Sequence, residues 1–308
     1  MNGKKCTVVM YHYVRNMHET PFPKLKGLLV EDFKKQVRYI KDNYSVIGLG
    51  QYVDFLKGTG KIPDNCAVLS FDDGFADHYD SVFPVLKEES LPACFFPLTQ
   101  PLVQGRVPAV HKTHFLLAKL GSKDFSGEFN LALKEGFPEK AEEFAVDGKQ
   151  KHERKYRWDD ILTANLKYSI GLLPRETKEN VLDGIFEKHF EGEKEFCSQL
   201  FMSWEQMKEM EEAGMEFGGH TVSHPMLASL GEEEQFKEIK QSKDDLEKGL
   251  GANIKRFAYP YGNFNEATSR LLAEAGFDCG LTTETKVNQG VVDPFRIGRL
   301  DTNDVPKE

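Results

Sequence analysis

Positive charge is short in this chain. Its 40 Lys and Arg are set against 49 Asp and Glu in 308 residues, a formal charge of −9 at pH 7. Phosphate and anionic lipid are recognised by clustered cations, so general binding to nucleic acid or to a membrane surface is not expected. Long apolar runs are missing as well. No segment approaches the roughly 20 apolar residues of a membrane span. The opening "MNGKKCTVVMYHYV" has two lysines but neither the apolar length nor the small-residue cleavage site of a signal peptide, and a cytoplasmic location is expected on that reading. The five cysteines, Cys6, Cys66, Cys94, Cys197 and Cys279, are scattered without a CxxC. An odd, dispersed set is no disulfide framework and suits small buried hydrophobes. No GxGxxG or GxxxxGK occurs, which removes those nucleotide-binding loops. Internal repeats and low-complexity tracts are absent too.

What remains is a chain with 40% hydrophobic residues, enough for a large core. Buried strands are expected at Thr7–Tyr11, Cys66–Phe71, Pro92–Pro97, Met215–Gly218, Arg256–Pro260 and Phe277–Leu281. Amphipathic helices are expected at Glu31–Asn43, Tyr79–Glu89, Glu232–Leu250 and Glu266–Ala275. Ser203 and Gln206 have the spacing of a capping box that opens a helix through Glu212. This alternation predicts an α/β fold with a mainly parallel sheet or barrel. Residues 98–200 differ in character, rich in Lys, Glu, Gly and Phe with helical patches at His114–Leu120 and Thr177–His189. They read as a long, mostly helical insertion, too long for a loop.

Ligand sites in such folds gather beyond the carboxyl ends of the strands. Four predicted strand ends carry chemistry: His12, the pair Asp72-Asp73 in "SFDDG", His220 and His224 in "HTVSHP", and "YPYG" at Tyr259–Gly262. Each alone has a plain reading as a turn or a chance pair. Together they supply two imidazoles and a carboxylate, a ligand set that leaves coordination positions open for water and substrate. A second carboxylate beside the first can then serve as a base. Pro225 disfavours helical geometry at His224, so the two histidines belong to a loop.

In these segments the chain resembles the polysaccharide deacetylase (NodB-homology) family. "SFDDG" is similar to its T-F-D-D-G motif, "HTVSHP" to H-[ST]-x-x-H, and "FAYPYG" to R-x-P-[FY]. The resemblance covers roughly Lys4–Leu98 and Phe201–Leu300. It implies one deacetylase domain over residues 1–308, a distorted (β/α) barrel with the 98–200 segment inserted as a helical cap, and metal-dependent removal of acetyl groups from sugars. It further implies that Asp73, His220 and His224 bind the metal, that Asp72 is the general base, and that the Tyr261 backbone N–H stabilises the oxyanion. Zn2+ is the default ion, with Fe2+, Co2+ or Ni2+ also suited to two histidines and one carboxylate.

Two departures from that pattern matter. Ala258 stands where the family has an arginine that steadies the base, so Arg296 or Arg299 is expected to supply the cation. No histidine follows His224, where the family usually has a proton donor for the leaving amine. His12 is the expected substitute. Of the other candidates, His78 is expected at the surface or the site's rim. His111 and His114 read as a helix start or a second metal pair, and Trp158 and Trp204 as packing or sugar-stacking rings. The function expected is N-deacetylation of an acetylated amino sugar in a glycan or glycan precursor. Hydrolysis of a non-sugar amide or imide on the same metal, and a non-catalytic carbohydrate-binding relative, are the alternatives.

Overall fold

The computed structural model describes residues 3–149 and 159–307; Trp158 lies outside them. The described chain forms two compact units, one of residues 1–16, 27–105 and 198–308, the other of 17–26 and 106–197.

The first unit is built on strands β1 (Lys5–Tyr11), β2 (Ser45–Val46), β3 (Asn65–Asp73), β4 (Cys94–Pro97), β5 (Glu216–Phe217), β6 (Arg256–Ala258), β7 (Cys279–Leu281), β8 (Asn288–Gln289) and β9 (Leu300–Asp301). After the first residue, β1 and β3 are buried at every position. Their runs "CTVVMY" and "CAVLSFDD" do not alternate, the mark of parallel strands covered on both faces. β1 pairs parallel with β3, β3 with β4, and β4 with β5. Parallel bridges carry the circuit on, from Gly219 to Phe257 of β6 and from Leu281 of β7 to Ile297. β6 and β7 are themselves paired, and β9 returns to β1 through Val9–Leu300. The ring is therefore closed by a mixture of ladders and single bridges, a distorted barrel. Short strands such as β5 and β6 are where the predicted spans Met215–Gly218 and Arg256–Pro260 contract.

Helices α1 (Val30–Asn43), α2 (Leu49–Leu56), α3 (Phe83–Glu88), α4 (Thr99–Gln104), α10 (Trp204–Glu212), α11 (Glu232–Leu250) and α12 (Glu266–Glu274) belong to the same unit. Phe33, Val37 and Ile40 of α1 are buried, as their spacing of four and three requires. The capping box at Ser203 is formed, each side chain meeting the other's backbone N–H. Trp204 lies against Gly249 of α11, where a Cβ would fall about 2.1 Å from its ring. That contact is packing between helices. The helix expected over Tyr79–Glu89 starts instead with a π-helical turn at His78–Val82.

The second unit holds α5 (Ala109–Gly136), α6 (Pro138–Phe144), α7 (Ile161–Leu172), α8 (Arg175–His189) and most of α9 (Glu193–Leu200). Residues 17–26 belong to it through Phe22, whose ring meets Phe115, Phe190 and Phe196. Buried Lys112 pairs with Asp183 and with Glu193. His111 and His114 sit in the first turns of α5 with ring centroids 6.0 Å apart. Neither belongs to a cluster of three metal-ligating side chains among the described residues. No helix among the described residues is long and apolar enough to cross a membrane.

Candidate metal centre

β3 ends in the two acids. Its last residue, Asp73, has φ +72°, and Gly74 follows at +77°. Any side chain at Gly74 would collide with Pro97, whose Cβ lies 2.5 Å from where its own Cβ would be. The sharp left-handed exit turns the Asp73 carboxylate towards the loop after β5. There His220 Nε2 lies 3.5 Å and His224 Nε2 3.6 Å from Asp73 Oδ1. The three donor atoms lie within 4.8 Å of one another.

The imidazoles are prepared for that role. His220 is buried, and its Nδ1–H donates to the Ala258 carbonyl at 2.7 Å. That bond fixes the tautomer and leaves the Nε2 lone pair towards Asp73. Burial pushes the His220 pKa down, but the Asp72 and Asp73 carboxylates outweigh it and raise the pKa overall. His224 follows after a loop in which Thr221 and His224 both have positive φ, and the Thr221 hydroxyl accepts the His224 N–H at 3.0 Å. Among the described residues, positive φ outside glycine occurs at Asp73, Ser90, Thr221, His224 and Tyr261, and four of those five line this site. Each such residue costs about 1–3 kcal/mol, strain that persists only where the surroundings enforce it. The donor set, two imidazoles and one carboxylate whose donor atoms lie within 4.8 Å of one another, fits a divalent ion with open positions.

Asp72 is not one of the three converging side chains and is equally determined. On a strand, residues two apart share a face, so Ser70 and Asp72 look the same way. Arg299, 1% exposed, reaches both: its Nη1 donates to Asp72 Oδ1 at 2.7 Å and approaches Ser70 Oγ at 3.4 Å, while Nε donates to the Thr282 carbonyl at 2.9 Å. Burial pushes the Asp72 carboxyl up, but Arg299 and the nearby His220 outweigh it and hold the acid below its ordinary value. Of the two arginines expected near the base, Arg299 is the one beside it. Arg296 instead faces Asp293 at 3.6 Å and stands over the Phe264 ring, half exposed, so it does not serve Asp72.

His12, at the end of β1, puts Nε2 3.9 Å from the other Asp72 oxygen, Oδ2, with its side chain 41% exposed. Its backbone is held by His78, whose Nε2 lies 2.9 Å from the His12 carbonyl. His78 is therefore neither at the surface nor on a rim; it is fully buried among Phe71, Phe75 and Phe95. Burial drives its pKa down to about 4, so it stays neutral and donates to that carbonyl. Tyr261 sits at φ +57° in the Pro260–Gly262 turn, with its exposed ring edge-on to His224 at 4.5 Å.

A family model described as polysaccharide deacetylase matches residues 59–151 and 173–280. The chain is 21% identical over 281 residues to YxkH of Bacillus subtilis, whose name makes it provisionally a polysaccharide deacetylase; the match covers 91% of this chain and 65% of that one. It is 22% identical over 271 residues to the poly-beta-1,6-N-acetyl-D-glucosamine N-deacetylase of Staphylococcus epidermidis, covering 88% and 66%. The chain thus spans just under two thirds of the length of these curated relatives. Among solved structures, the Streptococcus pyogenes deacetylase PplD in complex with acetate matches with a TM-score of 0.62 at 19% identity, over 97% of this chain and 92% of that one. IcaB from Ammonifex degensii gives 0.60 at 20% identity over the same shares. These structures share the fold.

Proposed function

The chain belongs to the polysaccharide deacetylase family, and from that premise we propose that it hydrolyses N-acetyl groups on an amino-sugar-containing glycan or glycan precursor, leaving acetate and a free amine. The observation that carries the proposal is the division of labour within one acid pair. Asp73 meets two imidazoles at 3.5 and 3.6 Å, while Asp72 is held by a buried arginine at 2.7 Å.

Asp73, His220 and His224 would hold a divalent ion, Zn2+ by default, with Fe2+, Co2+ or Ni2+ compatible with the same donors. When bound, such an ion supplies Lewis acidity, polarising the acetyl carbonyl and lowering the pKa of water. Asp72 is ionised at neutral pH and takes the proton of the attacking water. Arg299 keeps one Asp72 oxygen occupied, so the oxygen facing His12 is the one that works. The Tyr261 N–H donates to the developing oxyanion. His12, half exposed beside Asp72, gives a proton to the departing nitrogen, the task left open by the absence of any histidine after His224. The substrate named for the Staphylococcus epidermidis relative puts β-1,6-linked N-acetylglucosamine first among the glycans to try.

The test is direct. Zn2+-loaded protein incubated with N-acetylglucosamine oligomers is expected to release acetate and free amine in equal amounts, to lose this activity to a chelator, and to regain it with added Zn2+. Silence on every acetylated hexosamine oligomer would move the assignment to a non-sugar amide or to a binding protein.

A further inference from the structure

We propose that Glu238 is a positioning residue for the metal centre. Its carboxylate clamps the loop that aims His220 and His224 at one point. The inference rests on the metal reading above and adds to it the device that holds the ligands.

Glu238 lies mid-way along α11 and is buried. One carboxylate oxygen, Oε2, accepts both the Val222 and the Ser223 N–H at 3.0 Å, and the other, Oε1, accepts the Ser223 hydroxyl at 2.8 Å. These donors belong to two of the three residues between the histidines. On its other side the loop is pinned by the Gln100 N–H, which donates to the Val222 carbonyl at 3.0 Å. The helix itself is anchored in the core by Ile239 and Leu246, both wholly buried. A buried carboxylate is costly unless its oxygens are hydrogen-bonded, and here both are spent on one short loop. That loop carries two residues, Thr221 and His224, in left-handed conformations their side chains disfavour. Three hydrogen bonds from a rigid helix are what over-determine that shape. Glu238 is not one of the three side chains whose donor atoms converge, so its effect is expected in how well the two imidazoles are presented.

Two substitutions separate reach from charge. Glu238→Gln keeps the length: its carbonyl can accept both N–H groups and its amide can donate to the Ser223 oxygen. Glu238→Asp keeps the charge but withdraws it by one methylene. In the full-length protein, Zn2+ affinity measured by competition with a chromophoric chelator is expected to stay near wild type for Gln and to fall about 10-fold or more for Asp. The visible absorption of the Co2+-loaded protein, which reports ligand geometry, should change for Asp alone. Wild-type affinity and spectrum in Glu238→Asp would overturn the proposal, as would an equal loss in both variants. A large drop in melting temperature of the metal-free Asp variant would also overturn it, since the role would then be general stability. Failure of the wild-type protein to bind Zn2+ or Co2+ at all would instead sink the metal reading, a separate and recognisable outcome.

Discussion

Replacing Arg299 with leucine is expected to destabilise the fold by about 3–5 kcal/mol, the cost of leaving one partner of a buried ion pair uncompensated. Asp72 and Arg299 are 2% and 1% exposed, so solvent does little to soften that loss. The pH dependence has a definite sign. In the native protein the Asp72 pKa lies below its unfolded value. Its stabilising contribution is therefore complete above the unfolded pKa of about 3.9 and is lost as pH falls through the folded value. In Arg299→Leu, burial acts with its main opponent removed and the Asp72 pKa moves up. The stability deficit should be largest near neutrality and shrink in acid, where the carboxyl is protonated. The acid limb of kcat/KM should shift to higher pH in step. Denaturant melts and rate profiles from about pH 3.5 to about pH 8, which run from the ordinary carboxylate range past neutrality, check both. An unchanged midpoint would mean that the ion pair contributes nothing. Combining Arg299→Leu with Asp72→Asn should recover stability without recovering activity.

Asp72→Asn alone should leave metal binding in place, because Asp72 is not among the three side chains that meet at the metal centre. It should lower kcat by about 10²–10⁴-fold, the usual worth of a general base. Asparagine fills the same space and can still accept from Arg299, but it leaves the buried guanidinium without its counter-charge, so melts run beside the kinetics separate a loss of folded protein from a loss of turnover. Turnover near wild type in this variant would remove Asp72 from the chemistry and require another group as the base.

The parts of this site that sequence shows are those written in short contiguous runs. Asp72-Asp73-Gly74 and His220–His224 stand at the ends of buried apolar segments, and a strand end is a place that local pattern can locate. The barrel's alternation was visible for the same reason. Arg299 was harder: it lies 227 residues from Asp72 and meets it only because β9 returns to β1, which is paired with β3. Sequence could narrow the cation to Arg296 or Arg299, and only that three-strand register separates them. Glu238 carried a fainter mark. It shares the core-facing stripe of α11 with Gln235, Ile239, Ser242 and Leu246, where a glutamate without a partner would be out of place. Nothing local says which loop it serves. His78 was misplaced because four residues past Gly74 the chain makes a π-helical turn, which rotates that side chain inward against three phenylalanines. The segment 17–26 joins the helical unit through Phe22, flanked by Pro21 and Pro23, and through the Lys26–Asp159 ion pair, and so few residues leave no periodicity to read.

The central claim is that Asp73, His220 and His224 converge on one divalent ion with Asp72 left over as the base. Crystals soaked in Zn2+ and measured on both sides of the zinc absorption edge test it most directly. One anomalous peak is expected about 2.0–2.2 Å from an Asp73 oxygen and from Nε2 of both histidines, with Asp72 outside the coordination sphere and still bonded to Arg299. No peak there, or Asp72 as a ligand in place of Asp73, would contradict it.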